Sequence, residues 1–176
     1  MTPILRFTVP GVPATKGSTK SFIVHRKRDG KPIAVTTNDN PRAKGWQQLI
    51  AERAAAALAE ARLQPFAEGP VILDVWFYFP RPQKFLTTKY ADVDVPHTTR
   101  PDVDKAARAA LDALSRVVWR DDSQVIDAYV HKRYCAAGEV PRAEIAVCAV
   151  QWNLPRPIVH RETPRLFGEE ALYGTR

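Results

Sequence analysis

The chain has 176 residues, 45% of them hydrophobic, and carries 26 lysines and arginines against 19 acids, for a net charge of +7. That length suits one domain with a single core, and the positive excess favours polyanionic partners. No apolar run reaches membrane-spanning length, the N-terminus lacks a secretory pattern, and the two cysteines, Cys135 and Cys148, lack metal-type spacing, so the expectation is a cytoplasmic protein with two buried thiols.

In chain order, ILRFTVPGVP alternates Leu5, Phe7 and Val9 with Ile4, Arg6 and Thr8 before Pro10 and Gly11 end the ladder, which predicts a first strand. Residues 16–38 hold six lysines and arginines up to Lys31 and one acid, with Asp29-Gly30 set between SFIVH and PIAVT. This predicts a basic hairpin flap, in which Lys16, Lys20, Arg26, Lys27 and Arg28 are candidate phosphate contacts. Asn40-Pro41 reads as a cap and first helical position, and Trp46, Leu49, Ile50, Ala54, Ala57, Leu58 and Ala61 recur at helical spacing, predicting a helix to about Leu63.

From Gly69, GPVILDVWFYFP is β-branched and aromatic, predicting a central strand, and a long polar connection follows to Arg100. Asp92 and Asp94 in that connection read as solvated acids, and His97 as an exposed loop histidine. Asp102 is placed to cap a second helix running to about Leu114, with Val103, Ala106, Ala107, Ala110, Leu111 and Leu114 on its apolar face. VVWRDDSQ is then a turn, QVIDAYVHKRY and RAEIAVCAVQW are strands expected to pair as a hairpin through CAAGEVP, and residues 153–176 form a proline-rich tail. The expected fold class is α+β, a small mixed sheet packed by two main helices in the order β, hairpin, α, β, α, β, β, with residues 1–152 as one domain. Trp46, Trp76, Trp119 and Trp152 are expected in the core or a dimer contact, Trp119 also bordering the acids that follow it.

The segment from Arg100 to Asp127 concentrates six aspartates in this basic chain. Asp102 and Asp104 at a helix start have a purely structural account, one as a cap and one as a partner of the helix dipole. Asp121 and Asp122, where the chain enters a strand, shift the balance: if that strand lies beside the helix start, three or four carboxylates converge. Their repulsion is relieved by protons or by a cation. Oxygen ligands without a His or Cys cluster select Mg²⁺ or Mn²⁺ over Zn²⁺, and such an ion polarises a phosphodiester and supplies a nucleophile. Other D-x-D chemistries fit less well. The residues after Asp104 do not continue an EF-hand, HTTRP before Asp102 is no buried strand for an aspartyl phosphatase, and no glycine-rich nucleotide cradle precedes the motif, so no nucleotide cofactor is expected.

RPDVDKAARAALDAL, followed by VVWRDDSQVID and HKRY, resembles the RusA family of Holliday junction resolvases, and FTVPGVPATKG is similar to that family's opening strand and turn. The resemblance implies a homodimer that cuts four-way DNA junctions by paired symmetric nicks with Mg²⁺ or Mn²⁺, in a bacterial or phage setting. It carries the essential acidic roles onto Asp102, Asp104 and Asp122, with Asp121 as a neighbouring acid. Arg108 stands where the family often has a lysine, and its guanidinium meets phosphate as a fixed fork; Lys105 stands where an asparagine is frequent, as a further DNA contact. Two rivals remain open at this point: a DNA-binding protein without catalysis, whose acids are caps, and a less specific branched-DNA or flap nuclease.

Overall fold

The computed structural model describes residues 4–15, 19–38, 40–90 and 93–150, with side chains in the hairpin described for 23–35. Lys16, the side chain of Lys20, Asp92, Trp152 and the tail lie outside the described residues.

Four strands form one mixed sheet: β1 (Ile4–Pro10), β4 (Val71–Phe79), β5 (Val125–Tyr134) and β6 (Arg142–Ala149), in the order β1-β6-β4-β5. A separate two-stranded antiparallel sheet pairs β2 (Thr19–His25) with β3 (Pro32–Asn38). Two helices, α1 (Arg42–Glu60) and α2 (Val103–Leu114), complete the α+β architecture in the element order expected from the sequence.

The expected hairpin between β5 and β6 is not formed. β5 runs parallel to β4, whereas β6 inserts antiparallel between β1 and β4. Burial explains the choice. VILDVWFYF is apolar on both faces and is shielded only by a neighbour on each side, while β5, half-exposed along most of its length, tolerates the sheet edge.

The faces of the sheet divide by residue parity. Leu5, Val9, Val71, Leu73, Val75, Phe77, Phe79, Ala143, Ile145 and Val147 join Trp46, Ile50, Ala54 and Leu58 of α1 and Ala106, Ala110, Ala113 and Leu114 of α2 in one core. Each fully buried valine, leucine or isoleucine there contributes on the order of 2 kcal/mol through apolar burial. The buried face of α2 is Ala106, Ala109, Ala110, Ala113 and Leu114; four alanines let it sit close, and enlarging one would force it off its neighbours. Val103, expected on that face, is instead 47% exposed.

Helix α1 ends at Glu60, short of Leu63. The chain reverses there through Arg62 in the left-handed region (φ 53), and the Leu63 amide donates to the Leu58 carbonyl. Asn40 acts outside the helix proper: its Oδ1 accepts from the Arg42 amide while its Nδ2 donates to the Thr15 carbonyl, fixing the helix start to the segment after β1. His97, expected in solvent, is buried between the Phe79 and Tyr134 rings, 4.3 and 4.5 Å away, because Pro96 forms a β-bridge with Arg133 and draws the connection over the sheet. Burial, helped by the Lys132 charge, lowers its pKa below the usual histidine value. Cys135 is buried and Cys148 half-buried, both free, as the sequence suggested.

Candidate active site

Asp102 precedes α2 with extended backbone (φ −67, ψ 149), as an N-cap does, yet its carboxylate makes no capping hydrogen bond. It turns outward, 3.1 Å from the Lys105 ammonium, and stays more than half exposed. The cap account drawn from the sequence therefore does not describe this side chain. Asp104 lies in the first turn, exposed, where the positive end of the helix stabilises its charge. Arg108, one turn further on, is also exposed.

The approach to this helix start is held from β5. Lys132 Nζ donates to the carbonyls of Thr99, at 2.9 Å, and Pro101, while the Thr99 hydroxyl lies 3.1 Å from the Tyr134 hydroxyl. The C-terminal end of β5 thus sits under the N-terminus of α2.

The second acidic pair is built differently. Asp121 caps a single 3-10 turn at Asp122–Gln124, its Oδ1 accepting from the Ser123 amide at 2.9 Å; hydrogen bonding from the Ser123 side chain, and then from that amide, holds its carboxyl below the usual range. Gln124 closes the turn from the other side. Its Oε1 accepts from the amides of Arg120 and Asp121, and its Nε2 donates to the carbonyls of Phe66 and Gly69 at 3.0 Å each. Asp122 is exposed overall, with one oxygen accepting from Trp119 Nε1 at 2.8 Å. The indole itself is 1% exposed. Asp121 is therefore occupied in shaping the turn, and Asp122 is the acid the turn presents.

The two pairs stand apart. Asp102 and Asp104 are at the start of α2, level with Lys132 late in β5, whereas Asp122 follows the end of α2 and immediately precedes β5. Twelve residues of helix separate the ends by about 18 Å, against metal–oxygen bonds of about 2.0–2.6 Å. Among the described residues no group of three or more His, Cys, Asp or Glu side chains is close enough together to hold a metal ion. The convergence of three or four carboxylates expected from the sequence does not occur within one chain, because α2 and β5 run antiparallel and carry the two pairs to opposite ends.

Of the basic residues, Arg26, Lys27 and Arg28 occupy the β2–β3 turn, exposed, with Arg26 Nη1 3.5 Å from Asp29. Gly30 takes positive φ (64) there, which its missing Cβ permits. On the sheet face away from the helices, a cleft of about 510 Å³ is lined by Trp76, Tyr78, Arg133, Arg142, Asp94 and Glu139 among others. Its guanidiniums are already matched, Arg133 by Asp94 at 3.6 Å and Arg142 by Glu139 at 3.1 Å and Glu144 at 2.7 Å. None of the candidate aspartates lines it.

Sequence reading missed Gln124 and Lys132. The first had a signal, since Asp121-x-x-Gln124 has the spacing of a capping box; the second had none, because its partners are backbone carbonyls more than thirty residues away.

A family model described as endodeoxyribonuclease RusA matches residues 10–148 of this chain. Among curated proteins it is similar to the uncharacterized protein YqaN of Bacillus subtilis (strain 168), 32% identical over 148 residues that cover 81% of this chain and 94% of the relative.

Proposed function

Since the chain belongs to the RusA endodeoxyribonuclease family, we propose that it is a Mg²⁺-dependent nuclease that cuts four-way DNA junctions as a homodimer. The observation that carries this reading is the Asp102 carboxylate, which occupies a helix N-cap, leaves the capping bond unmade and faces solvent beside Asp104. The arrangement leaves two exposed carboxylates side by side, hard oxygen ligands of the kind a divalent cation takes.

The donor set suits such an ion. Mg²⁺ takes one or two carboxylates and keeps several waters, and Asp102 and Asp104 offer exposed hard oxygens at a helix start. When bound, the ion supplies Lewis-acid polarisation of the phosphodiester. Lys132 fixes the segment leading into Asp102, Arg108 offers its guanidinium to a phosphate oxygen, and at the other end of α2 Trp119 Nε1 donates to Asp122. Lys105 neutralises Asp102 in the free protein and is released to the DNA backbone when a cation replaces it. The Arg26–Arg28 turn, with Lys16 and Lys20 in the same segment, follows the backbone of one DNA arm. A two-fold dimer matches the two-fold axis of a junction and places equivalent sites on opposed strands.

The test is cleavage of a synthetic four-way junction. The expected result is paired nicks in Mg²⁺, none in chelator, and none from Asp104→Asn or Asp122→Asn proteins that still bind the junction. Wild-type protein that binds the junction and leaves it intact in both Mg²⁺ and Mn²⁺ would overturn the reading in favour of a DNA-binding protein, and equal cutting of linear duplex would remove the junction from it.

A further inference from the structure

We infer that the β2–β3 arm carries a wedge, Ile23, which inserts between base pairs at the crossover of a branched DNA while the cations at the tip of the arm hold the adjoining phosphates. This goes beyond the proposed function and rests on it only for the class of partner, DNA.

β2 and β3 form a two-stranded ribbon separate from the main sheet, and such a ribbon is narrow enough to enter a DNA groove. Its tip is shaped in advance. The Arg26 amide donates to the Lys31 carbonyl at 2.9 Å, the Gly30 amide donates to the Arg26 carbonyl at 2.8 Å, and Nδ1 of His25 lies 3.0 Å from the Gly30 carbonyl oxygen. Alternate strand residues share a face, which puts Ile23 and His25 on one side of the ribbon, paired with Ala34 and Pro32. The His25 ring is engaged at the turn and Ala34 ends in a methyl group, so Ile23 stands above its neighbours. It is 70% exposed, the highest value among the exposed large apolar residues described.

A lone exposed isoleucine needs no explanation; this one is set among charges. Arg26, Lys27, Arg28 and Lys31, all exposed, follow it within eight residues, with Asp29 as the single acid of that run. An apolar prong beside cations complements a partner with phosphates outside and stacked apolar faces within, which is the construction of DNA. The spacing agrees. Three residues of extended chain, about 10 Å, separate Ile23 from Arg26, close to three nucleotide steps of about 3.4 Å along one strand. Apolar side chains of this kind act as wedges between base steps, at a cost in stacking. That cost is least where pairing or stacking is already interrupted, and in a branched DNA this is the crossover.

The test reads binding and base stacking in chelator, with the DNA uncut. Four-way junctions carry 2-aminopurine, whose fluorescence rises when it unstacks, either at the crossover or in the middle of an arm. Wild-type protein is expected to raise the crossover signal and leave the mid-arm signal unchanged. Ile23→Ser, which unfolds like the wild type because the side chain is exposed, abolishes that rise and weakens junction binding about tenfold, while duplex affinity stays within about twofold and its salt dependence is unchanged. Ile23→Leu restores both junction readouts. Wild-type fluorescence and junction affinity in the Ile23→Ser protein overturn the proposal, as do equal losses on junction and duplex. A change in the sedimentation of that variant, or loss of binding to vesicles of anionic phospholipid with junction binding intact, also overturns it and assigns the arm to a second copy or to a membrane surface. Wild-type protein that opens the crossover in chelator yet never cuts in Mg²⁺ removes the proposed reaction and leaves the wedge standing; cutting by a protein that leaves the crossover stacked does the reverse.

Discussion

Trp119 donates its indole N–H to Asp122 at 2.8 Å from a position that is itself 1% exposed. A charge-assisted bond from so rigid a donor fixes the carboxylate before any ligand arrives, and misplacing a catalytic group by about 1 Å can cost on the order of a hundredfold in rate. Trp119→Phe keeps most of the ring and removes the donor. Junction cleavage is expected to fall about ten- to hundredfold while junction affinity changes by less than about twofold; a variant that cuts at the wild-type rate would show that Asp122 needs no such anchor.

Gln124 is the second element of this scaffold, joining the amides of Arg120 and Asp121 to the carbonyls of Phe66 and Gly69. Gln124→Ala strands several partly buried polar groups at once, so a loss of about 1–3 kcal/mol in denaturant unfolding is expected, with cleavage reduced alongside. Gln124→Glu restores the acceptor but not the donor and should recover only part of the stability. Equal stability of all three proteins would mean that the turn stands on Asp121 alone.

How much of this was legible follows from the range of each interaction. The element order and the two candidate pairs of aspartates could be read from local sequence, because strand alternation, helical spacing and capping are contained within a few residues of Asp102 or Asp121. The pairing of β6 with β1 and β4 could not, since only competition for the centre of the sheet places Val71–Phe79 between two neighbours. The same long-range fact reversed the expectation for the acids: a β5 parallel to β4 beneath an antiparallel α2 sends Asp102 and Asp122 to opposite ends. Val103 fits the apolar pattern of α2, and only the packed structure showed it exposed.

Asp74 is a buried acid that the proposed reaction does not use. It sits on the open face of the sheet at 4% exposure, 3.9 Å from His131 Nε2 on β5, with Arg6 two strands away on the same row. Burial pushes its carboxyl up to about 6, against the opposing effect of Trp76. A raised folded-state value favours the neutral form in the native protein. The group's contribution to stability is therefore complete below its ordinary value of 3.8 and is lost as pH rises from there through about 6. The loss is of order 3 kcal/mol at neutral pH. Asp74→Asn removes the ionisation, so it is expected to be more stable than the wild type at pH 7, with the gap closing towards pH 4. A gap of constant size at both pH values in urea unfolding would show that Asp74 does not ionise in this range.

The basic turn of the β2–β3 arm tests how the protein grips DNA. Arg26, Lys27 and Arg28 are exposed, and among the described residues Arg26 lies 3.5 Å from the Asp29 carboxylate of the same turn. Replacing all three with alanine leaves the core untouched, so thermal unfolding should be unchanged. If each side chain displaces one counterion from the phosphate backbone, the slope of log affinity against log salt falls by about 0.9 per contact, nearly 3 for the triple variant, with binding to junction and duplex weakened alike. An unchanged slope would assign the arm to something other than the phosphates, and weakening confined to the junction would make it a reader of branched shape.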